Sequence, residues 1–173
     1  MELVDLYDEN RLPLGRTAER NGQKAPGEYR TVVHVCLFDA QGRMLIQHRA
    51  EGKTIWPGLW DVSVGGGVDA GETSRQGAER EFREELGCAL NLRGLRPSVT
   101  VNFDGGFDDF YLLTRDELKS QTLTLQQEEV QDARWASLEE ILAMRDQGRF
   151  VPYPGSFLRF LFDMRTQFGF PTK

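Results

Sequence analysis

At 173 residues the chain fits one domain, since single domains commonly run from ~100 to ~200 residues. Its apolar content of 39%, with 11 Phe, 3 Trp and 4 Tyr, supplies a sizeable core, and its 28% charged residues form no long polar tract of the disordered kind. A net charge of -6 argues against a nucleic-acid duplex as partner, which would call for a basic stripe, yet it leaves phosphate substrates open because bound divalent cations reverse the local field.

The chain opens with two short strands expected over 2–7 and 12–16, joined by the turn-rich Asp8-Glu9-Asn10. A linker follows, with Asn21-Gly22 and Pro26-Gly27 as breakers. Residues 31–38 form a nearly all-apolar, β-branched run, the pattern of a strand covered on both faces. His34 and Cys36 fall inside it and are expected in the core. Asp39-Ala40-Gln41-Gly42 turns the chain and 44–48 returns it. A loop over 49–59 carries Trp56-Pro57-Gly58, and another strand is expected over 60–64.

Gly65-Gly66-Gly67 then breaks the strand pattern. Thr73 suits an N-cap, and a helix runs from there to Leu86, with Gly87 placed to end it. Strands are expected over 98–103, 107–114 and 129–135. Ser137-Leu138-Glu139-Glu140 reads as a capping box opening a second helix that ends near Gly148. A third helix follows Pro152 and Pro154, with Phe157, Phe160, Leu161, Met164 and Phe168 as its core-facing stripe. The sum is an α/β fold with a mixed central sheet, divided into an N-terminal extension (1–30), a catalytic core (31–150) and a C-terminal helix (151–173). The aromatic tail over 150–170 either covers the sheet or pairs with a second copy in a homodimer.

The first residues, MELVDLYDEN, lack a basic head and an apolar h-region, and no apolar run approaches the ~20 residues of a membrane span. The expectation is a cytoplasmic protein with no membrane partner. Cys36 and Cys88 lack metal-ligand spacing and read as free thiols in a reducing compartment.

The helix ending at Leu86 carries the chemistry. At 100° per residue, Glu81, Glu84 and Glu85 share a sector about 100° wide. Ala78, Phe82 and Leu86 form the adjoining apolar stripe that fixes the helix against the sheet. Three carboxylates so close repel unless a cation compensates them, and hard oxygen ligands suit Mg2+ or Mn2+. Solvated surface is the bland alternative for any acidic helix face. The glycine run weighs against it, because the backbone there can approach a ligand closely.

Gly66, Glu72, Arg80-Glu81, Phe82, Glu84-Glu85, Leu86, Gly87 and Cys88 fill every fixed position of the 23-residue Nudix box. On this resemblance the fold would be a Nudix α/β/α sandwich with an N-terminal hairpin added, and the activity magnesium- or manganese-dependent hydrolysis of a small-molecule diphosphate. The resemblance makes Glu84 and Glu85 the main metal ligands and Glu81 a further ligand or the group that activates water. It also brings in the carbonyl of Gly65, Arg80 as the brace of a box carboxylate, and Glu72 at the loop–helix junction. Glu129, with Glu128 beside it, is the candidate for an added carboxylate before the last core strand. Arg49, Lys53 and Trp56 are weaker candidates for substrate contact. Phe103, Phe107, Phe110 and Tyr111 surround a Gly-Asp turn and read mainly as packing.

Leu6-Tyr7-Asp8-Glu9-Asn10, the run 33–38 and the segment 56–64 resemble the branch of the family related to isopentenyl diphosphate isomerase. That enzyme's catalytic cysteine directly follows the Ser-Val of the last segment, where this chain has Gly65, and its metal-binding histidine corresponds to Gly67. The expectation is hydrolysis rather than isomerisation, most often of a nucleoside diphosphate or its derivative. A noncatalytic nucleotide-binding protein is the alternative of a different class.

Overall fold

The computed structural model describes residues 2–116, 118, 122–167 and 169. A separate hairpin comes first, β1 (Leu3–Tyr7) antiparallel to β2 (Pro13–Glu19). The second strand runs three residues past the expected end, because Thr17, Ala18 and Glu19 find partners in Asp5, Val4 and Leu3.

Seven strands make the main sheet: β3 (Arg30–Phe38), β4 (Met44–Arg49), β5 (Trp60–Asp61), β6 (Val64–Gly67), β7 (Val99–Phe103), β8 (Gly106–Thr114) and β9 (Val130–Ala136). Strand β3 lies between β6, antiparallel, and β8, parallel; β7 extends the β8 edge. Strand β4 pairs with β5 and β9, and touches β3 only at Phe38↔Met44. From that one pair the sheet forks. The strand expected over 60–64 is two strands on different branches of the fork, β5 on β4 and β6 on β3.

The three glycines do not break the strand either. They are β6, with Gly65, Gly66 and Gly67 opposite His34, Val33 and Val32. Glycine is weak in a strand on its own, so only tertiary pairing puts one here, at a place where other side chains press close.

Alternation along β3 sorts its side chains onto two cores. Val33, Val35 and Leu37 face helix α1 (Ser74–Leu86), where Ala78, Phe82 and Leu86 are 0%, 1% and 0% exposed. Cys36 and Phe38 face α2 (Leu138–Asp146) and α3 (Gly155–Met164) on the other side. The result is helices on both faces of a mixed sheet. Ser137 caps α2 in a box with Glu140, and the helix stops two residues short of Gly148. On α3 the buried residues are Leu158, Leu161, Phe162 and Met164, so the stripe is turned from the expected one. Phe157 and Phe160 are half-buried, with Phe157 edge-on against Phe110 of the sheet and stacked on Phe160. Phe168 lies outside the described residues. No described helix is long and apolar enough to cross a membrane, and both cysteines are free and buried.

Candidate active site

Helix α1 is held at both ends by local chemistry. Thr73 Oγ1 accepts from Gln76 N at 3.3 Å, and Gln76 Oε1 accepts from Thr73 N at 2.9 Å. At the other end Gly87 takes φ 70°, the left-handed conformation that closes a helix. The apolar stripe then draws its acidic neighbours inward unequally. Glu81 is 7% exposed and Glu85 3%, whereas the Glu84 side chain stands at the rim with 46% exposed.

Strand β6 meets this helix through its glycines. A Cβ on Gly66 would lie 2.0 Å from the Glu81 carboxyl carbon, so the absent side chain is what admits that carboxylate. Arg80 organises the junction: Nη1 donates to Glu81 at 3.0 Å and Glu84 at 3.2 Å, Nη2 to the Gly67 carbonyl at 2.8 Å, and Nε to Glu72 at 2.9 Å. Glu72 in turn accepts from Asp69 N at 3.1 Å, tying the loop to the helix start. Despite the burial that opposes its charge, Arg80 is held protonated by Glu72 and Glu81.

Arg80, Glu81, Glu84 and Glu85 line a cavity of about 610 Å3 that also takes in Gly65, Gly66, Gly67, Arg49, Lys53, Trp56 and Glu129. Glu129 precedes β9, where its carbonyl accepts from Ala50 N at 2.9 Å, and its carboxylate is paired with Lys53. Arg49 lines the cavity and also holds its own loop. It donates to Asp61 at 3.2 Å, Ile55 O at 2.9 Å and Trp56 O at 3.2 Å, and so pins the loop that carries Trp56. Trp56 itself has φ 51° and is 46% exposed at the cavity mouth. Of the aromatics around the Gly-Asp turn only Phe103 reaches the cavity; Phe107, Phe110 and Tyr111 are buried.

Burial pushes the Glu85 carboxyl up to about 8, with the neighbouring Glu81 charge adding to it. Glu81 is raised for the same first reason, against the pull of Arg80. Among the described residues no three His, Cys, Asp or Glu side chains are already grouped as a metal cage. Each of these carboxylates is turned to a protein partner: Glu84 and Glu81 to Arg80, Glu85 to Gln47 Nε2 at 3.1 Å, and Glu129, outside the box, to Lys53. The donor set nevertheless fits a hard divalent ion. Two nearly buried carboxylates, each raised first by burial and Glu85 further by the Glu81 charge, with Gly66 lacking a side chain beside Glu81, are what such an ion would relieve.

The NUDIX domain model matches residues 28–155, which contain this helix, the glycine strand and the whole seven-stranded sheet. The chain belongs to the Nudix hydrolase family. A Nudix hydrolase of Listeria monocytogenes is 46% identical over 165 residues, 95% of this chain and 96% of that one. The crystal structure of DR0079 from Deinococcus radiodurans superposes with a TM-score of 0.74 at 26% identity, covering 92% of this chain and 99% of that one. The isopentenyl-diphosphate Delta-isomerase of Streptomyces coelicolor is 36% identical over 100 residues, 58% of this chain and 51% of its own. Family and fold together make this Nudix protein a pyrophosphohydrolase-type enzyme acting on a diphosphate-containing substrate.

The Nudix cavity has a second wall that sequence reasoning missed. His34 is not packed in the core like Cys36. It faces the cavity past Gly65, whose Cβ would sit 2.6 Å from the imidazole, and its Nδ1 is 2.7 Å from Asp108 Oδ1. Burial lowers the His34 pKa, but Asp108 outweighs it and the net shift is upward. Tyr153 donates to Asp61 at 3.0 Å beside it, and burial pushes the Tyr153 hydroxyl far up. Arg20, from the hairpin, and Arg30 complete this wall. One signal was available for part of it: Arg30, Val32 and His34 share one face of β3, and two polar residues on a face of an apolar strand need a polar space to point into.

Proposed function

We propose that the protein hydrolyses a nucleoside diphosphate or a nucleoside diphosphate derivative, by attack of metal-activated water on phosphorus. The observation carrying this reading is the meeting of Glu81, Glu84, Glu85 and Glu129 around one cavity with buried Glu85 raised to about 8. Glu84 and Glu85 are the residues to hold Mg2+ or Mn2+, with Glu81, Glu129 and the Gly65 carbonyl adjoining. A bound ion of this kind neutralises diphosphate charge and lowers the pKa of water. Arg80 keeps Glu81 and Glu84 oriented, and Gly66 leaves Glu81 room to reach the cavity. Glu81 and Glu129 are the two candidates to take the proton from water, Glu81 kept in place chiefly by Arg80 and Glu129 by Lys53. The nucleoside preference rests on the family resemblance.

The deciding experiment is product analysis by mass spectrometry in 18O water. The substrates are nucleoside di- and triphosphates, ADP-ribose, nucleotide sugars, dinucleoside polyphosphates, coenzyme A and prenyl diphosphates, each with Mg2+ and Mn2+. Turnover of a nucleotide class, with Glu81→Gln or Glu129→Gln slowed ~10²–10⁴-fold, supports the reading and identifies the base. No turnover of any diphosphate, while the ion still binds Glu84 and Glu85, replaces it with a noncatalytic binding protein.

We infer that isomerase activity is absent. The two positions that carry the isomerase's cysteine and histidine are Gly65 and Gly67. A side chain at either would collide with His34 or Arg20, at 2.6 and 2.7 Å from the added Cβ. Isopentenyl diphosphate should stay unchanged by NMR after incubation with enzyme and metal; formation of dimethylallyl diphosphate would refute this.

A further inference from the structure

Five cationic side chains line the cavity: Arg20, Arg30, Arg49, Lys53 and Arg80. Four of them have a carboxylate partner. Arg49 is held by Asp61, Lys53 by Glu129, Arg80 by Glu72, Glu81 and Glu84, and Arg20 by Glu2 at 2.7 Å. Arg30 has no ion pair among the described residues. Its guanidinium instead lies over the Phe103 ring, 5.7 Å from the centroid.

Register explains how Arg30 and Arg20 come to share one corner. Arg30 pairs with Gly106 on β8, and Gly106 pairs with Phe103 on β7, so the row across the sheet reads Arg30, Gly106, Phe103. Gly106 takes φ 147°, and a Cβ there would meet the Arg30 carbonyl oxygen at 1.8 Å, so only glycine lets the two strands pair at this row. Two residues along β3, Val32 is opposite Gly67, over which the Arg20 Nε lies where a Cβ would come within 2.7 Å. Arg20 Nη2 is also 4.0 Å from Glu81. The corner therefore adjoins the acidic helix without belonging to it.

Arg20 keeps Glu2 as its partner, but Arg30, half-buried beside it, has no carboxylate of its own among the described residues, and that is costly. Burial depresses the Arg30 pKa, and the Arg20 charge depresses it further. Asp108 offers some relief, but it is hydrogen-bonded to His34. The chemistry that relieves such a pair is a compact dianion with several acceptor oxygens. A terminal phosphate, at ~-1.5 to -2 charge, is that group. An internal phosphate, esterified on both sides, has one charge and fewer free oxygens.

We propose that Arg20 and Arg30 seat the terminal phosphate of the substrate, so that the enzyme selects diphosphates with one free end over linkages capped at both ends. This rests on the hydrolase reading and sharpens it. The reacting linkage lies against the acidic helix, the free phosphate against the arginine corner, and the organic group toward the Trp56 side of the cavity.

Two measurements test it, on wild type, Arg30→Gln, Arg30→Lys and Arg20→Gln, with circular dichroism and melting curves as the check on folding. The first is binding of inorganic phosphate and inorganic pyrophosphate by calorimetry in EDTA, which needs no turnover. Wild type should bind, Arg30→Gln should bind ~10-fold or more weakly, and Arg30→Lys should lie between. The second is steady-state kinetics with a nucleoside diphosphate and the matching nucleoside diphosphate sugar. Arg30→Gln should raise KM ~10-fold or more for the free-ended substrate and less than ~3-fold for the capped one.

Should Arg30→Gln fail to fold, Arg20→Gln on the hairpin gives the same comparison. Loss of pyrophosphate binding in the variants without hydrolysis of any substrate by wild type would leave the seat standing and remove the hydrolase reading. Equal binding in wild type and variants overturns the proposal. So does an equal rise in KM for free-ended and capped substrates, or a rise that follows the nucleobase, which would make Arg30 and Phe103 a base-stacking pair.

Discussion

Replacing Gly66 by alanine adds one methyl group where the structure has no room for it. The new Cβ would stand 2.0 Å from the Glu81 carboxyl carbon and 2.2 and 2.5 Å from its two oxygens. Ordinary contact begins at 3.4 Å, so the carboxylate must retreat by about 1.4 Å. The backbone has no objection of its own, because Gly66 is in a paired strand opposite Val33 and its φ lies outside the left-handed region. The damage should therefore appear in the site before the fold. Misplacing a catalytic group by ~1 Å costs on the order of 10²-fold in rate. We expect Gly66→Ala to lower kcat/KM ~10²-fold with Mg2+ while its melting temperature stays within ~3 °C of wild type, read by phosphate release and differential scanning calorimetry. Activity within ~3-fold of wild type would show that Glu81 does not act from its observed position.

Two further outcomes follow from buried charge. Glu85, raised to about 8 in the fold against 4.5 as its ordinary value, adds stability that is complete below pH 4.5 and is lost as pH rises through 8. In EDTA at pH 9, Glu85→Gln should thus melt above wild type by several degrees, for a gain of roughly a few kcal/mol; at pH 5 the two should coincide, and equal melting at both pH values would contradict the burial argument. Arg11→Ala would strip the partner from Asp109, which is 0% exposed and keeps only Thr100 Oγ1 at 2.6 Å. With the Arg11 side chain 35% exposed, the loss should fall at or below the low end of the usual range for a broken buried pair, ~2–3 kcal/mol by urea denaturation. Asp109→Asn in the same chain should recover part of it.

Helix α1 was legible in the sequence because its signals are local. Thr73, Gln76 and Gly87 specify the ends, and the 3.6-residue repeat of Ala78, Phe82 and Leu86 specifies the buried side. The mixed sheet with helices on both faces was legible for a related reason, since the β-branched run of β3 can only be buried twice. The glycine strand was not. Nothing local in Gly65-Gly66-Gly67 favours an extended chain, and only pairing with His34, Val33 and Val32 creates it. The partners of Arg49 are not legible locally either, because Asp61, Ile55 O and Trp56 O are brought to it by how the following loop folds back. His34 was assigned to the core on the company of its neighbours; its partner Asp108 lies 74 residues away on a parallel strand.

The same distinction separates the two walls of the cavity. One wall, the acidic helix, lies wholly inside the matched NUDIX domain and is written in a contiguous motif. Part of the other comes from before residue 28, where that match begins. The hairpin reaches the domain through Ala70 N to Leu3 O at 2.8 Å, Gly71 N to Asp5 Oδ2 at 2.8 Å, the Tyr7–Tyr29 bridge and the Arg11–Asp109 pair. Those contacts fix the place at which β2 ends, and so deliver Arg20 onto Gly67 and Glu2 beside it. On the proposed reading, bond-breaking groups sit on a rigid helix and substrate-facing groups on an appended hairpin, and the two can change independently. An altered hairpin would change what the cavity accepts while leaving the glutamates where they are.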